Sequence, residues 1–434
     1  MQKSDVILHP EWVLTPKGLR RGTTVRVHAG VIIELADAAR HPEVPVQRGT
    51  LLLPGFVNAH SHAFQRAFRG HVQWTSHPAD DFWTWRDRMY AVARGLDPDG
   101  VEAVSALAFL EMAEAGFTTV GEFHYLHNQA DGTPYADPDE LARRVIRAAR
   151  SVGLRIVLLR VVYAAGGFGR PLSDGQLRFR TRSPDEALQA VARLGSTGDP
   201  LVTAGLAPHS VRAVPVDWLP ELRADVVHAH VSEQPAEVSA CLEATGRTPL
   251  QVLADAGLVD DRFTAVHLTH PTDAELAIMR SSGARIAVCP TTELDLGDGF
   301  LPLAARDGIG LCVGSDSHAR IDPFAEIRAL ELHARGLARR RIVMGEAGVQ
   351  ASLVERLLRA GTEEGGRALG LPVGRIEAGA PADLVLVDLD RTGAVGVPPL
   401  EAVVFGGSPE WVRDVWVAGE QVIRDGRHAH REAI

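Results

Sequence analysis

LLLPGFVNAHSH (51–62) is an apolar run that closes on Asn58, His60, Ser61 and His62. Seven later runs repeat the arrangement: FTTVGEFHY (117–125), RIVLLRVVYA (155–164), LVTAGLAPHS (201–210), VVHAHVSEQ (226–234), FTAVHLTH (263–270), ARIAVCPTTE (284–293) and IGLCVGSDSH (309–318). Each is a short apolar strand whose carboxyl end carries polar, chemically capable residues. A parallel (β/α)8 barrel gathers those ends on one face, where catalytic groups sit. On that reading His60, His230 and Asp316 converge although they are remote in sequence.

The segments between the runs have helical spacing. VEAVSALAFLEMAEAG (101–116), DPDELARRVIRAARSVG (137–153), SPDEALQAVARLG (183–195) and PTDAELAIMRSSG (271–283) close on Gly, and the last three open on Asp, Ser or Thr beside Pro, which are helix start and stop signals. Strand then helix, repeated, is the α/β pattern. The stretch 71–95, with Trp74, Trp83 and Trp85, is too long for a simple connection and reads as a loop over the catalytic face. Residues 1–52 and 378–434 read as short strands, each set too small to bury a sheet alone. They are expected to pair into one discontinuous β-sandwich beside a barrel spanning 53–377, with EAGAPAD (377–383) as the return.

Composition narrows the function. A net charge of −10 and the lack of a dense basic run argue against nucleic-acid binding. No apolar stretch is long enough to span a bilayer, and MQKSDVILHP lacks the pattern of a secretory signal, so no membrane association and a cytoplasmic location are expected. Cys241, Cys289 and Cys312 form neither a CxxC pair nor a disulfide framework and read as buried thiols.

Chemistry concentrates at the strand ends. His60 and His62 lie two apart on a strand and share a face, so both imidazoles can reach one ion. With His230 and Asp316 they form a set of three imidazoles and one carboxylate, suited to zinc or to ferrous iron with room for water. Each has a blander alternative: a chance HxH pair, or an Asp316 that caps the following segment. His228 shares a face with His230 but sits deeper, as a hydrogen-bonded interior histidine. Glu233, three residues past His230, can move protons above the site, or it can be a solvated helix-start carboxylate. His267 can stabilise charge on the reacting group or pack at the rim, and His270 competes for the same role.

Taken together these motifs resemble the amidohydrolase superfamily, in its single-metal aminohydrolase branch. Within that branch PGFVNAHSHAFQRAFRG (54–70), APHSVRAV (207–214), HVSEQ (230–234), VHLTH (266–270), CPTTELDLGDG (289–299) and GSDSH (314–318) are similar, in order, to the N-formimino-L-glutamate iminohydrolases of histidine degradation. HxH and GSD mark only the superfamily; HAFQRA and PHSVR are more specific. The resemblance spans the whole chain. It implies His60, His62, His230 and Asp316 as ligands of one divalent ion, zinc first and ferrous iron second. It implies Glu233, His267 and Asp316 as catalytic groups, and Gln65, Arg86, Tyr125, His209 and Arg212 as substrate contacts. It also implies a homodimer. Two-metal relatives bridge their ions with a carboxylated lysine, but this chain has only Lys3 and Lys17, so one metal is expected.

The substrate so implied is a small dianion derived from an amino acid, with a formimino group to be hydrolysed to N-formyl-L-glutamate and ammonia. Two carboxylates call for two guanidinium forks, which Arg86 and Arg212 can supply. Against this stand ion pairing of Arg86 with Asp87 or another acid, a similar pairing of Arg212, the rival Arg88, rim packing of Tyr125 and His209, and a helix-capping Gln65. One competing function is deamination of a heterocycle such as guanine, cytosine or an s-triazine, which has no use for two arginines. The other is a non-catalytic ligand-binding barrel, which the intact set of Glu233, Asp316 and candidate ligands argues against.

Overall fold

The computed structural model describes residues 5–75, 77–303 and 308–434. The first four residues of the stretch read above for a secretory signal, and Ser76 of the 71–95 stretch, lie outside them.

Eight parallel strands form one sheet in sequence order: Phe56–Ser61, Phe117–His124, Arg155–Val162, Val202–Pro208, Val227–Val231, Phe263–His267, Arg285–Val288 and Gly310–Val313. A parallel bridge between Ser61 and Asp316 closes the first strand against the eighth. There the His62 amide donates to the Asp316 carbonyl at 3.1 Å and the Asp316 amide to the His60 carbonyl at 3.0 Å. Gly314 permits that seam, since a Cβ there would lie 2.6 Å from the His60 carbonyl oxygen. Below it Asn58 locks the same two strands: its Nδ2 donates to Ser315 Oγ at 2.7 Å and its Oδ1 accepts the Ser315 amide at 3.0 Å. Closure therefore fixes the polar strand ends relative to one another, as the α/β-barrel reading requires.

The terminal segments build two further sheets. One has the strand order Arg427–His428, Glu420–Arg424, Val412–Val417, Leu384–Asp388, Gln47–Pro54, Pro10–Thr15, Gly18–Arg21; the other pairs Val6–Leu8, Thr23–His28 and Val31–Asp37. Leu384–Asp388 runs antiparallel to residues 50–54, which joins the two chain ends directly. Val13, Val25, Ile32, Leu52, Leu384 and Leu386 are buried together between the sheets. A buried ion pair, Arg155 Nε to Asp383 Oδ2 at 3.0 Å, ties the third barrel strand to this unit.

Two local expectations are corrected. LLLP (51–54) does not begin the first barrel strand but ends a sandwich strand, Gln47–Pro54. The apolar run is continuous in sequence, yet Gly55 breaks it: its amide donates to the Asp383 carbonyl at 2.8 Å, and a Cβ there would lie 2.2 Å from Thr118 Oγ1. The stretch 71–95 is not all loop, because Phe82–Gly95 is an α-helix. Asp81 and Thr84 form a reciprocal capping box at its start. Its buried residues Phe82, Met89, Tyr90 and Ala93 recur at helical spacing and turn one face onto the barrel mouth. Among the four helices read from spacing, three end with Gly placed as expected: Gly153 and Gly283 cap in the left-handed region, and Gly116 follows the Ala115 cap with φ of 99°.

Candidate active site

Four polar side chains from three strand ends meet at the centre of the barrel mouth. His60 Nε2 lies 3.2 Å from His62 Nε2 and 3.1 Å from His230 Nε2. Asp316 Oδ1 lies 3.4 Å from His60 Nε2 and 3.1 Å from His62 Nε2. All four side chains are buried. The His62 Nδ1–H donates to the Phe123 carbonyl at 3.0 Å, so its Nε2 presents a lone pair to the cluster. Lone pairs so close repel one another unless a cation or a proton lies between them. Around a tetrahedral zinc with nitrogen ligands at about 2.0–2.1 Å, neighbouring ligand atoms stand about 3.3 Å apart. The observed spacings match that edge length, so the four residues fit a single divalent ion. Burial holds the His60 imidazole down at about 3, hence neutral and ready to ligate.

His267 stands beside this cluster. Its Nε2 is 3.7 Å from Asp316 Oδ2 and 3.6 Å from Glu233 Oε1, and its Nδ1 is 3.2 Å from Glu293 Oε1. Burial pushes this imidazole down, but the surrounding carboxylates of Glu233, Glu293 and Asp316 outweigh it and hold it up at about 10. Burial raises the Glu233 carboxyl to about 7, with Asp316 and Glu237 adding to the effect against His267 and Arg212. His267 and Asp316 both have left-handed backbones, with φ of 67° and 43°. Strain of that kind, roughly 1–3 kcal/mol per residue, persists where surrounding structure enforces it and clusters at functional sites.

A cavity opens from this cluster toward the helix Phe82–Gly95. Gln65, Arg86, Tyr125, His209 and Arg212 all line it, together with His62, His230, Glu233 and Asp316. The Gln65 Nε2 donates to Tyr125 OH at 2.8 Å, while its Oε1 is buried without a partner among the described residues. His209 Nδ1 contacts Ser210 Oγ at 3.1 Å, and burial followed by the Arg212 charge keeps the ring neutral. The guanidinium carbons of Arg86 and Arg212 lie 4.6 Å and 5.9 Å from the Trp83 ring centroid. Arg212 meets a carboxylate, Glu237, only at 3.8 Å, and among the described residues the buried Nε atoms of both arginines lack hydrogen-bond partners. No ion pair joins Arg86 to Asp87 among the described residues, and Gln65 lies inside the short 3-10 segment Ala63–Phe68, not at its cap.

The rivals lie elsewhere. His228 Nε2 donates to the Ala368 carbonyl at 2.8 Å inside the barrel. His270 Nε2 is occupied by the Asp298 carbonyl at 2.8 Å. Arg88 pairs with Asp80 at 2.9 Å away from the cavity. Cys241, Cys289 and Cys312 are buried and free. Four residues that sequence reasoning passed over also belong here: Glu293 behind His267, Trp83 between the arginines, and Tyr90 and Tyr163 on the cavity wall. Glu293 and Tyr163 stood at the ends of the seventh and third runs and Trp83 in the stretch 71–95, whereas Tyr90 carried no signal of its own.

The amidohydrolase family model matches residues 51–422. A formimidoylglutamate deiminase from Pseudomonas aeruginosa is 40% identical over 97% of this chain and 95% of its own length. An amidohydrolase crystal structure from Brucella melitensis superposes with a TM-score of 0.91 at 35% identity, over 98% of this chain and 96% of that one. An adenosine deaminase from Xanthomonas campestris with bound zinc gives a TM-score of 0.82 at 26% identity, over 98% and 94%.

Proposed function

This chain belongs to the amidohydrolase family, and from that premise we propose that it is a C–N hydrolase that deiminates N-formimino-L-glutamate to N-formyl-L-glutamate and ammonia. The observation that carries the substrate is the pair Arg86 and Arg212. Both line the cavity that holds Glu233 and Asp316, and among the described residues neither has a carboxylate within close hydrogen-bonding distance. Each is half-buried with an Nε that is buried and has no hydrogen-bond partner among the described residues, an unfavourable state that a substrate carboxylate relieves with a charge-assisted, planar match. A neutral heterocycle offers no such match, which disfavours the deaminase of a purine, pyrimidine or triazine.

His60, His62, His230 and Asp316 are the residues that would hold one divalent ion, zinc or ferrous iron. Such an ion supplies Lewis-acid polarisation and acidification of water. The protein's own groups do the rest. Asp316 turns Oδ1 to the histidines and Oδ2 toward His267, leaving Oδ2 to take the proton released when water adds to the formimino carbon. Glu233, with its carboxyl raised to about 7, retains a proton near neutrality and delivers it to the departing nitrogen. His267, held cationic by three carboxylates, donates through Nε2 toward the tetrahedral centre. The two arginines fix the carbon against the attacking water, an orientation effect.

The test is ammonia release from N-formimino-L-glutamate beside N-formimino-L-aspartate, guanine and cytosine, with metal content measured on the same sample. Turnover of a base in preference to the glutamate derivative overturns the reading. The same proposal carries a role in histidine degradation, a cytoplasmic location and a homodimer, the last open to light scattering on the eluted protein. Among the described residues no helix is long and apolar enough to cross a membrane.

A further inference from the structure

The carboxylate end of the cavity contains a polar device that the arginines do not explain. Tyr90 and Tyr163 both line it, and their hydroxyl oxygens lie 3.3 Å apart. Gln176, buried at 4% exposure, reaches both: its Nε2 is 2.8 Å from Tyr163 OH and 3.3 Å from Tyr90 OH. Which amide atom is the nitrogen follows from the other end of the side chain. The Ser173 backbone amide, an obligate donor, points at Gln176 Oε1 at 2.9 Å, and Ser173 Oγ lies 3.0 Å from the same atom. That atom must be the carbonyl oxygen, so the NH2 group faces the tyrosines and donates to them.

Proton accounting then has one outcome. Each phenol oxygen accepts from Gln176. Each phenol has one proton to give, so two are available. The contact between the hydroxyls uses one of them. Among the described residues no protein acceptor takes the second, and both phenols border the cavity beside Arg86 and Arg212. A buried donor without an acceptor is unfavourable until a ligand supplies one.

We propose that Gln176 is a positioning residue that sets the donor direction of the Tyr90–Tyr163 pair, making that pair a third seat, beside Arg86 and Arg212, for a carboxylate of the substrate. This rests on the deiminase reading above. It explains why the segment after the third barrel strand is braced against the helix that carries Arg86: a Cβ on Gly175 would lie 3.3 Å from the Tyr90 ring, and Arg178 donates to the Ala93 carbonyl near the helix end.

The test is Gln176→Glu, which keeps the acceptor for Ser173 but offers the phenols a carboxylate. Both phenol protons then turn away from the cavity. The KM for N-formimino-L-glutamate is expected to rise tenfold or more with kcat changed less than about threefold. Two analogues with one carboxylate each, N-formimino-L-2-aminobutyrate and 4-formimidamidobutyrate, locate the seat: the one lacking the seated carboxylate is insensitive to the substitution. An unmoved KM overturns the inference, and so does an equal rise for both analogues. Should the variant fail to fold, Tyr90→Phe, Tyr163→Phe and the double variant replace it. Each single variant leaves one phenol proton for the substrate and raises KM less than about threefold, whereas the double removes both and raises it at least tenfold. Additive effects overturn the inference. Wild-type inactivity toward the glutamate derivative removes the deiminase reading and this inference together; an active wild type with an indifferent variant removes the inference alone.

Discussion

His267 Nδ1 lies 3.2 Å from Glu293 Oε1, and the same carboxylate oxygen accepts the Cys289 backbone amide at 2.9 Å. Glu293 is thus fixed by its own helix start and in turn fixes the imidazole, leaving Nε2 aimed between Glu233 and Asp316. Glu293→Gln keeps the shape but removes the charge. Turnover is expected to fall roughly 10- to 100-fold with little change in KM, as for loss of a charge-assisted hydrogen bond worth about 1.5–3 kcal/mol. The alkaline limb of the pH–kcat profile moves to lower pH, because a carboxylate that holds the imidazolium up is gone. Steady-state kinetics between pH 6 and 10 check both, and unchanged kinetics would mean that Glu293 only supports the fold.

Asp316 faces the histidines with one oxygen and His267 with the other. Asp316→Asn removes the proton acceptor and weakens the candidate metal site while keeping the side-chain volume. A loss of turnover of about 10²–10⁴-fold is expected, the range of a general base, with a far-UV spectrum like that of the wild type. Metal analysis of the same preparation, and of His230→Ala, should show reduced zinc or iron. Retained stoichiometric metal in His230→Ala would exclude that residue from the ligand set.

The strand ends were readable in sequence because a parallel barrel needs eight buried apolar runs, and each run here stops on residues that a core would not tolerate unpaired. His60, His62, His230 and Asp316 stood out for that reason, and the structure brings their side chains together. The end of Gln47–Pro54 was readable two ways, as the last strand of the 1–52 segment and as the start of the first barrel run, because LLLP and the residues after it are apolar and only the approach of Gly55 to Thr118 separates the two strands. The helix Phe82–Gly95 was hidden by charged and aromatic residues between its buried positions. Gln176 lies 86 residues from Tyr90, in a stretch whose own pattern is that of an ordinary turn. Its role exists only in the folded arrangement of three segments.

Arg212 shares the Trp83 ring with Arg86 and meets Glu237 only at 3.8 Å. Arg212→Ala removes a guanidinium fork from the carboxylate end. KM for the dianionic substrate is expected to rise roughly 10- to 100-fold, the equivalent of about 1.5–3 kcal/mol, with kcat affected less. Competition by free dicarboxylates should weaken in parallel. An unchanged KM would remove Arg212 from the pocket and with it the main argument for a dianion.

Protonation outside the active site gives a prediction about the fold itself. His124 is buried; burial, followed by the charge of Arg160, holds its imidazole down at about 3, against an ordinary value of 6.5. The unfolded chain therefore binds a proton at this residue below pH 6.5 while the folded chain does not. Its effect is absent above pH 6.5, and stability is lost as pH falls from there toward 3, at up to about 1.4 kcal/mol per pH unit. Between pH 7.5 and 5 the wild type should lose about 2 kcal/mol more than His124→Gln, which cannot take up that proton. Urea unfolding of both proteins at the two pH values measures the difference directly, and any acid-linked loss of metal common to both cancels. Equal losses would show that His124 is protonated in the folded protein at pH 5, with a partner that accepts its charge.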